Sequence, residues 1–171
     1  NYGRSHDDLR ISVTDRCNFR CFYCMPEEGM SFLPQMEILT YEEIIRVVRI
    51  TTELGFTSYH LTGGEPLVRK DLDVLIGKML EIQPGMDLAL TTNGVFLPEM
   101  APRLRTAGLR RVNISLDTLD ESKFLLMTRR DLLRQVMAGI EAAAAGFSSI
   151  KINAVAIKGL TEGELPRFAK W

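Results

Sequence analysis

Short stretches of alternating apolar and polar residues trade places along this chain with longer stretches whose apolar residues recur every three or four positions. That is the pattern of βα units building a parallel sheet. Leu9, Ile11 and Val13 mark one face of a first strand over Leu9–Thr14, and Arg10, Ser12 and Thr14 mark the other. Thr40-Tyr-Glu-Glu43 reads as a capping box, and Ile44, Val47, Val48 and Leu54 carry the helix behind it to Gly55. A second strand over Ser58–Thr62 leads into Gly63-Gly64-Glu65-Pro66. The stripe Leu72, Leu75, Ile76, Met79 and Leu80 then predicts a helix ended by Pro84-Gly85. A third strand, Asp87–Thr92, is turned by Asn93-Gly94. In the helix after it Pro98 suits a first turn, but Pro102 removes an interior hydrogen bond, so a late or irregular start is expected. The fourth strand is expected over Arg111–Asp117 and the fifth over Ile150–Ile157. Between them Leu132, Leu133, Val136, Met137 and Ile140 predict one helix closing at Gly146, and a further helix starts near Glu162.

The fold class is therefore α/β, with about five βα units. They cannot close an eight-stranded barrel but suffice for a partial, TIM-barrel-like one. Parallel strands covered on both faces read as continuous apolar runs, whereas these strands alternate. With the apolar faces against helices, Arg10, His60, Thr62, Thr91, Asn93, Asn113, Ser115, Asp117, Lys151 and Asn153 point inward. Burying so many polar groups without partners would cost about 1–3 kcal/mol each. The inner face must be wet, mutually hydrogen-bonded or filled by a polar ligand.

The 171 residues suit one domain, 1–171, with no linker or low-complexity tract. Asn1 and Trp171 both read as cut ends, so a single incomplete domain of a longer protein is expected. A net charge of −1 gives no reason to invoke a nucleic acid or a membrane as partner. No apolar run approaches a membrane span, and no secretory leader opens the chain.

The three cysteines fall together as Cys17-x3-Cys21-x2-Cys24, directly after the first strand. A clustered, odd set argues against a secreted disulfide framework and for a reducing compartment. Structural zinc closes four ligands, whereas three thiolates can hold three irons of a [4Fe–4S] cube and leave the fourth open. Zinc completed by His6 or by a partner chain, and three unrelated buried thiols, are the alternatives. The glycines of Gly63-Gly64-Glu65-Pro66 allow close backbone approach to a ligand, and Glu65 adds a charged acceptor; an ordinary tight turn is the alternative. Arg10, His60 and Lys151 suit an anion such as phosphate, or an ion pair with Asp117. Arg129-Arg130 read as a solvated helix start. Tyr23 is either an apolar cover for the metal group or a backbone contact for its ligand.

The cysteine loop after strand one and Gly-Gly-Glu-Pro after strand two resemble the radical S-adenosylmethionine (SAM) superfamily. Wider strings narrow the resemblance to the GTP 3′,8-cyclase family of molybdenum-cofactor biosynthesis: Arg10-Ile-Ser-Val-Thr-Asp-Arg-Cys-Asn18, Tyr23-Cys-Met-Pro-Glu-Glu-Gly29, Leu61-Thr-Gly-Gly-Glu-Pro-Leu67, Thr91-Thr-Asn-Gly94, Asn113-Ile-Ser-Leu-Asp117 and Lys151-Ile-Asn-Ala154. The resemblance implies a partial radical SAM barrel in which Cys17, Cys21 and Cys24 ligate a [4Fe–4S] cluster. It implies SAM contacts from Tyr23, Gly63, Gly64, Glu65 and Ser115, and GTP contacts from Arg10, His60, Thr91 and Lys151. A 5′-deoxyadenosyl radical would take the 3′ hydrogen of GTP, giving 3′,8-cyclo-7,8-dihydro-GTP.

A reductant protein and a downstream cyclic pyranopterin monophosphate synthase are the implied partners, with homodimer formation left open. The implied location is the cytoplasm, or the mitochondrial matrix in a eukaryote. Two departures stand out. The family usually has Arg at the position of His60, and its second [4Fe–4S] cluster uses three C-terminal cysteines that this chain lacks, so full cyclisation is not expected of these residues alone. Another radical SAM branch, such as a peptide-modifying maturase, and a non-catalytic three-cysteine scaffold are the competing readings.

Overall fold

The computed structural model describes Gly3 and residues 6–26 and 28–171, so Glu27 of the cysteine-loop string lies outside the described residues. Five strands form one sheet: β1 (Asp8–Ser12), β2 (Ser58–Thr62), β3 (Asp87–Thr92), β4 (Arg111–Ser115) and β5 (Ser149–Asn153). All neighbours are parallel and follow chain order, β1-β2-β3-β4-β5. Sequential order joined by right-handed crossovers puts every connecting helix on the same face of the sheet. The opposite face stays open, as on the inside of a barrel wall.

The helices are α1 (Tyr41–Glu53), α2 (Leu72–Ile82), α3 (Leu97–Thr106), α4 (Glu121–Thr128), α5 (Leu133–Ala144) and α6 (Leu165–Lys170). Thr40 caps α1 through the expected capping box, its hydroxyl accepting from Glu43 N–H while the Glu43 carboxylate accepts from Thr40 N–H. The core lies between sheet and helices. Tyr59, Leu61, Leu90, Val112 and Ile114 of the strands meet Ile44, Val48, Leu75, Ile76, Met79, Leu104 and Val136 of the helices. Tyr59 is wholly buried, yet its hydroxyl finds Thr51 and Thr52 at 2.9 Å each, which removes the penalty of an unpaired phenol.

β2 and β3 have the expected bounds, because glycine-bearing turns end both. β1 runs one residue earlier than expected and stops two sooner. β4 and β5 are shorter than expected at their C-terminal ends. There the backbone leaves the sheet for side-chain partners: Val155 N–H donates to the Asp117 carboxylate at 2.9 Å instead of to a strand.

α3 starts at Leu97 without irregularity. Pro98 occupies its first turn, and Pro102 sits inside the helix on an exposed face, where the carbonyl it leaves unbonded can take water. Between β4 and β5 there are two helices rather than one. α4 is capped by Asp120, whose carboxylate accepts from Lys123 N–H at 2.9 Å. The final helix begins as a 3₁₀ turn at Glu162–Glu164. No helix among the described residues is long and apolar enough to cross a membrane.

Candidate active site

The loops that carry the candidate chemistry all leave the C-terminal edge of the sheet, where parallel α/β folds assemble their sites. The cysteine loop follows β1 and is held on three sides.

The first side is the Gly63-Gly64-Glu65 loop. Val13 N–H donates to Thr62 O at 2.9 Å, Gly64 N–H to Thr14 O at 2.8 Å and Glu65 N–H to Arg16 O at 2.8 Å, so the parallel pairing of β1 with β2 continues into both loops. A Cβ on Gly63 would stand 2.3 Å from Thr14 O, and one on Gly64 would stand 2.4 Å from Arg16 O. The close approach that the glycines permit is thus to the backbone of the cysteine loop.

The second side is the end of β3. The Glu65 carboxylate is 1% exposed and turned into the protein. Oε1 accepts from Thr92 Oγ1 at 2.7 Å and Leu67 N–H at 3.0 Å; Oε2 accepts from Asn93 N–H at 2.7 Å. Burial pushes the pKa of this carboxyl up, and the three donors act against that by favouring the charged form. The expectation that Glu65 offers a charged acceptor to a ligand therefore meets a side chain already engaged. What the loop exposes to a ligand is backbone. Asn93, ordered by Glu65, donates Nδ2–H to Asn18 Oδ1 at 2.7 Å, next to Cys17.

The third side was not visible in the sequence. The C-terminal carbonyls of α4 accept from the cysteine loop, Arg20 N–H to Thr128 O and Phe22 N–H to Met127 O, both at 3.0 Å. Arg129, at the C-cap of α4 with φ 54°, returns its guanidinium to Arg20 O at 3.2 Å and Met25 O at 3.4 Å. Arg130 reaches Asn18 O at 3.2 Å. The pair read as a solvated helix start instead clamps the loop from the end of a helix. Arg129→Ala removes charge-assisted bonds to backbone carbonyls, each worth about 1.5–3 kcal/mol. We expect the variant to fold but to lose bound iron to a chelator several-fold faster than the parent. An unchanged release rate would count against the clamp. Beneath the loop, Arg69 joins Val13 O at 2.6 Å to Leu39 O at 2.7 Å while stacked 4.2 Å from the centroid of the Tyr41 ring.

Within the loop, Cys24 and Met25 N–H both donate to Cys21 O, at 2.9 and 2.8 Å, closing a turn that brings the second and third cysteines together. Cys17 and Cys21 are half-buried and Cys24 is exposed. Burial pushes the Cys17 thiol up despite a hydrogen bond from Phe19 N–H, and pushes Cys21 up to about 11. Cys24 adds to the upward shift at both Cys17 and Cys21, and Cys17 adds to that at Cys21, so the three sulfurs share one neighbourhood. A metal group would displace their protons. Tyr23 hydrogen-bonds through its hydroxyl to Asp117 beyond β4, and burial together with that carboxylate holds the phenol well above its usual range. Asp117 thereby joins the cysteine loop, the end of β4 and the segment after β5. Its carboxylate is taken up by Tyr23 and Val155 rather than by a cation of the inner face.

The inner face carries the remaining candidates. In register, Arg10 lies beside His60, and Asn113 lies between Thr91 and Lys151. Arg10, Ser115 and Lys151 are exposed on it, and among the described residues neither Arg10 nor Lys151 has an ion-pair partner. Asn113 Nδ2 lies 3.4 Å from His60 Nε2 and 3.5 Å from Thr91 Oγ1, while His60 Nδ1 faces Asp8 at 3.5 Å. The open sheet face is therefore wet at its rim and cross-linked at its centre.

A [4Fe–4S] group fits the cysteine loop by the chemistry of its donors, three soft thiols in one neighbourhood. Among the described residues no three His, Cys, Asp or Glu side chains, these cysteines included, stand close enough to hold a single metal ion. His6 precedes β1, at the far end of a strand about 16 Å long, so it cannot complete a zinc site with the loop.

Fold, loop order and donor set together define an enzyme core of the parallel βα type whose thiols at the strand ends could hold a metal group. Residues 11–171 match the Radical SAM superfamily, and the chain belongs to it. The chain is 50% identical over 173 residues to the GTP 3′,8-cyclase of Thermodesulfovibrio yellowstonii, covering 100% of this chain and 54% of that protein. It is 53% identical over 166 residues to the GTP 3′,8-cyclase of Rhodopirellula baltica, covering 96% and 46% respectively. The chain thus spans about half the length of the curated relatives it matches. Among solved structures, Streptococcus suis SuiB bound to S-adenosylmethionine superposes with a TM-score of 0.72 at 23% identity, over 95% of this chain and 36% of that one. That likeness concerns the fold.

Proposed function

We propose that this chain is the radical-generating core of a GTP 3′,8-cyclase. The observation that carries the reading is the presence of two exposed cations, Arg10 and Lys151, on the polar inner face with no ion-pair partner among the described residues. They suit a triphosphate, and the curated relatives at about half identity are GTP 3′,8-cyclases. Cys17, Cys21 and Cys24 would hold a [4Fe–4S] cluster with one open iron. The backbone of Gly63 and Gly64, Tyr23 and Ser115 would border SAM; Arg10, His60, Thr91 and Lys151 would border GTP.

Held by Cys17, Cys21 and Cys24 and bordered by the Gly63–Gly64 backbone, the cluster and SAM would supply the radical chemistry that joins the 3′ carbon of GTP to C8 of the guanine, with electrons from the reductant. The chain's own residues orient the reactants. Lys151 and Arg10 fix the anion, and Thr91 and Asn113 present hydroxyl and amide groups at the middle of the face. His60 stands where the family has Arg. It lies between Asp8, 3.5 Å from Nδ1, and Asn113, 3.4 Å from Nε2, and the grip on phosphate falls to Arg10 and Lys151. All the cysteines of the chain sit in one loop, so the family's second cluster would draw its ligands from outside these residues. A reductant protein, a downstream cyclic pyranopterin monophosphate synthase, a homodimer and a cytoplasmic or mitochondrial-matrix location belong to the same proposal.

The test is isotopic. With SAM, a reductant and GTP deuterated at the 3′ carbon, the loaded protein should yield 5′-deoxyadenosine carrying one deuterium. 5′-Deoxyadenosine formed without deuterium would refute GTP as the hydrogen donor. Lys151→Ala should weaken GTP binding by about 10–100-fold, the loss of one charge-assisted contact, and leave the SAM-induced change of the cluster's EPR signal in place.

A further inference from the structure

Asn18 stands between the first cysteine of the loop and Phe19, and one end of its amide has no partner among the described residues. Oδ1 accepts from Asn93 Nδ2 at 2.7 Å. The orientation of Asn93 is itself fixed, because its own Oδ1 accepts from Val95 N–H at 3.1 Å and its backbone N–H is bound by Glu65. Asn18 therefore cannot exchange its two amide ends without setting donor against donor. Its Nδ2 is left shielded from solvent with no acceptor among the described residues. Such an orphan costs about 1–3 kcal/mol and calls for an explanation.

The neighbouring atom supplies one. Cys17 Sγ lies 4.0 Å from Asn18 Oδ1, and Phe19 N–H already points at that sulfur from 3.4 Å. A free thiol can donate to Oδ1. A metal-bound thiolate has no proton to give and becomes an acceptor, beside an amide with an unused N–H.

We propose that the Asn18 side-chain amide donates its Nδ2–H to the metal-bound sulfur of Cys17, or to the cluster sulfide beside it, and so makes the cluster easier to reduce. Adding an electron raises the negative charge on the sulfurs, so a donor aimed at them stabilises the reduced state more than the oxidised one. Asn93 and Glu65 are positioning residues for this contact: they hold the acceptor end of the amide and leave the donor end to the cluster. The inference rests on the cluster reading above.

Parent protein and N18A, both loaded anaerobically and matched for iron content, would be titrated with a low-potential reductant under EPR. The one-electron reduction equilibrium of N18A is expected to be about tenfold less favourable, a fall of about 59 mV. An unchanged midpoint in a variant with full iron content overturns the proposal. Should N18A hold no iron, parent protein labelled with nitrogen-15 at the asparagine side chains decides. A nitrogen-15 coupling to the reduced cluster in pulsed EPR supports the contact, and its absence overturns it. Failure of the parent to assemble any cluster would refute the cluster reading itself, whereas a cluster without the coupling refutes only the role of Asn18.

Discussion

Gly64→Ala should leave the protein unable to keep its metal group and destabilise the fold by about 3 kcal/mol, toward the upper end for forcing extra volume into a packed contact. The added methyl would stand 2.4 Å from the carbonyl oxygen of Arg16, and backbone cannot swing aside as the tip of a long side chain can. Relief requires opening the bonds from Gly64 N–H to Thr14 O and from Glu65 N–H to Arg16 O, which carry β1–β2 pairing into the cysteine loop. Damage should therefore concentrate at Cys17. Denaturant midpoints and iron per chain after anaerobic loading give the two readouts. By contrast, Gly163→Ala, where the added atom meets open space, should change neither. A Gly64→Ala protein with parental stability and a full iron complement would show that the two loops do not approach as described.

Glu65 gives the second large effect, with a contrast between two substitutions. Glu65→Ala strands the Thr92 hydroxyl and the N–H groups of Leu67 and Asn93 in a buried site, at a cost of about 3–5 kcal/mol for breaking a buried charged network. Glu65→Gln keeps shape and volume. Its carbonyl oxygen can retain Thr92 and Leu67, but its amide then faces Asn93 N–H, donor against donor. About 1–3 kcal/mol should be lost, together with the ordering of Asn93 and hence of Asn18. If Glu65 served chiefly to meet SAM, both variants would lose SAM binding while keeping parental stability. Thermal unfolding of the metal-free proteins separates the two accounts.

The architecture was legible because its signals are local. Strand alternation, the Thr40–Glu43 capping box and the Asn93-Gly94 turn each lie within a few residues, and they place five parallel strands with a polar inner face. The cysteine spacing is likewise local. What escaped depends on partners distant in the chain. Nothing near Glu65 reveals that its donors come from Thr92 and Asn93, 27 and 28 residues later. Arg129 contacts Arg20 O across 109 positions, so its sequence surroundings show only two adjacent charges. α4 was missed because Phe124, Leu125, Leu126 and Met127 form a continuous apolar run without helical spacing; Leu125 and Leu126 are exposed while their neighbours are buried. β4 was overextended to Asp117 because an aspartate at a strand end looks like one more inward polar residue. Its carboxylate is instead the junction of Tyr23 and Val155.

The loop of Cys17, Cys21 and Cys24 is expected to hold a [4Fe–4S] cluster with one iron open to SAM. Anaerobic loading with iron and sulfide, reduction, and EPR with and without SAM test it most directly. About four irons and four sulfides per chain, the cluster stoichiometry, and a spectrum that changes when SAM is added are the expected result. Stoichiometric zinc, or a cluster whose spectrum is indifferent to SAM, would contradict it.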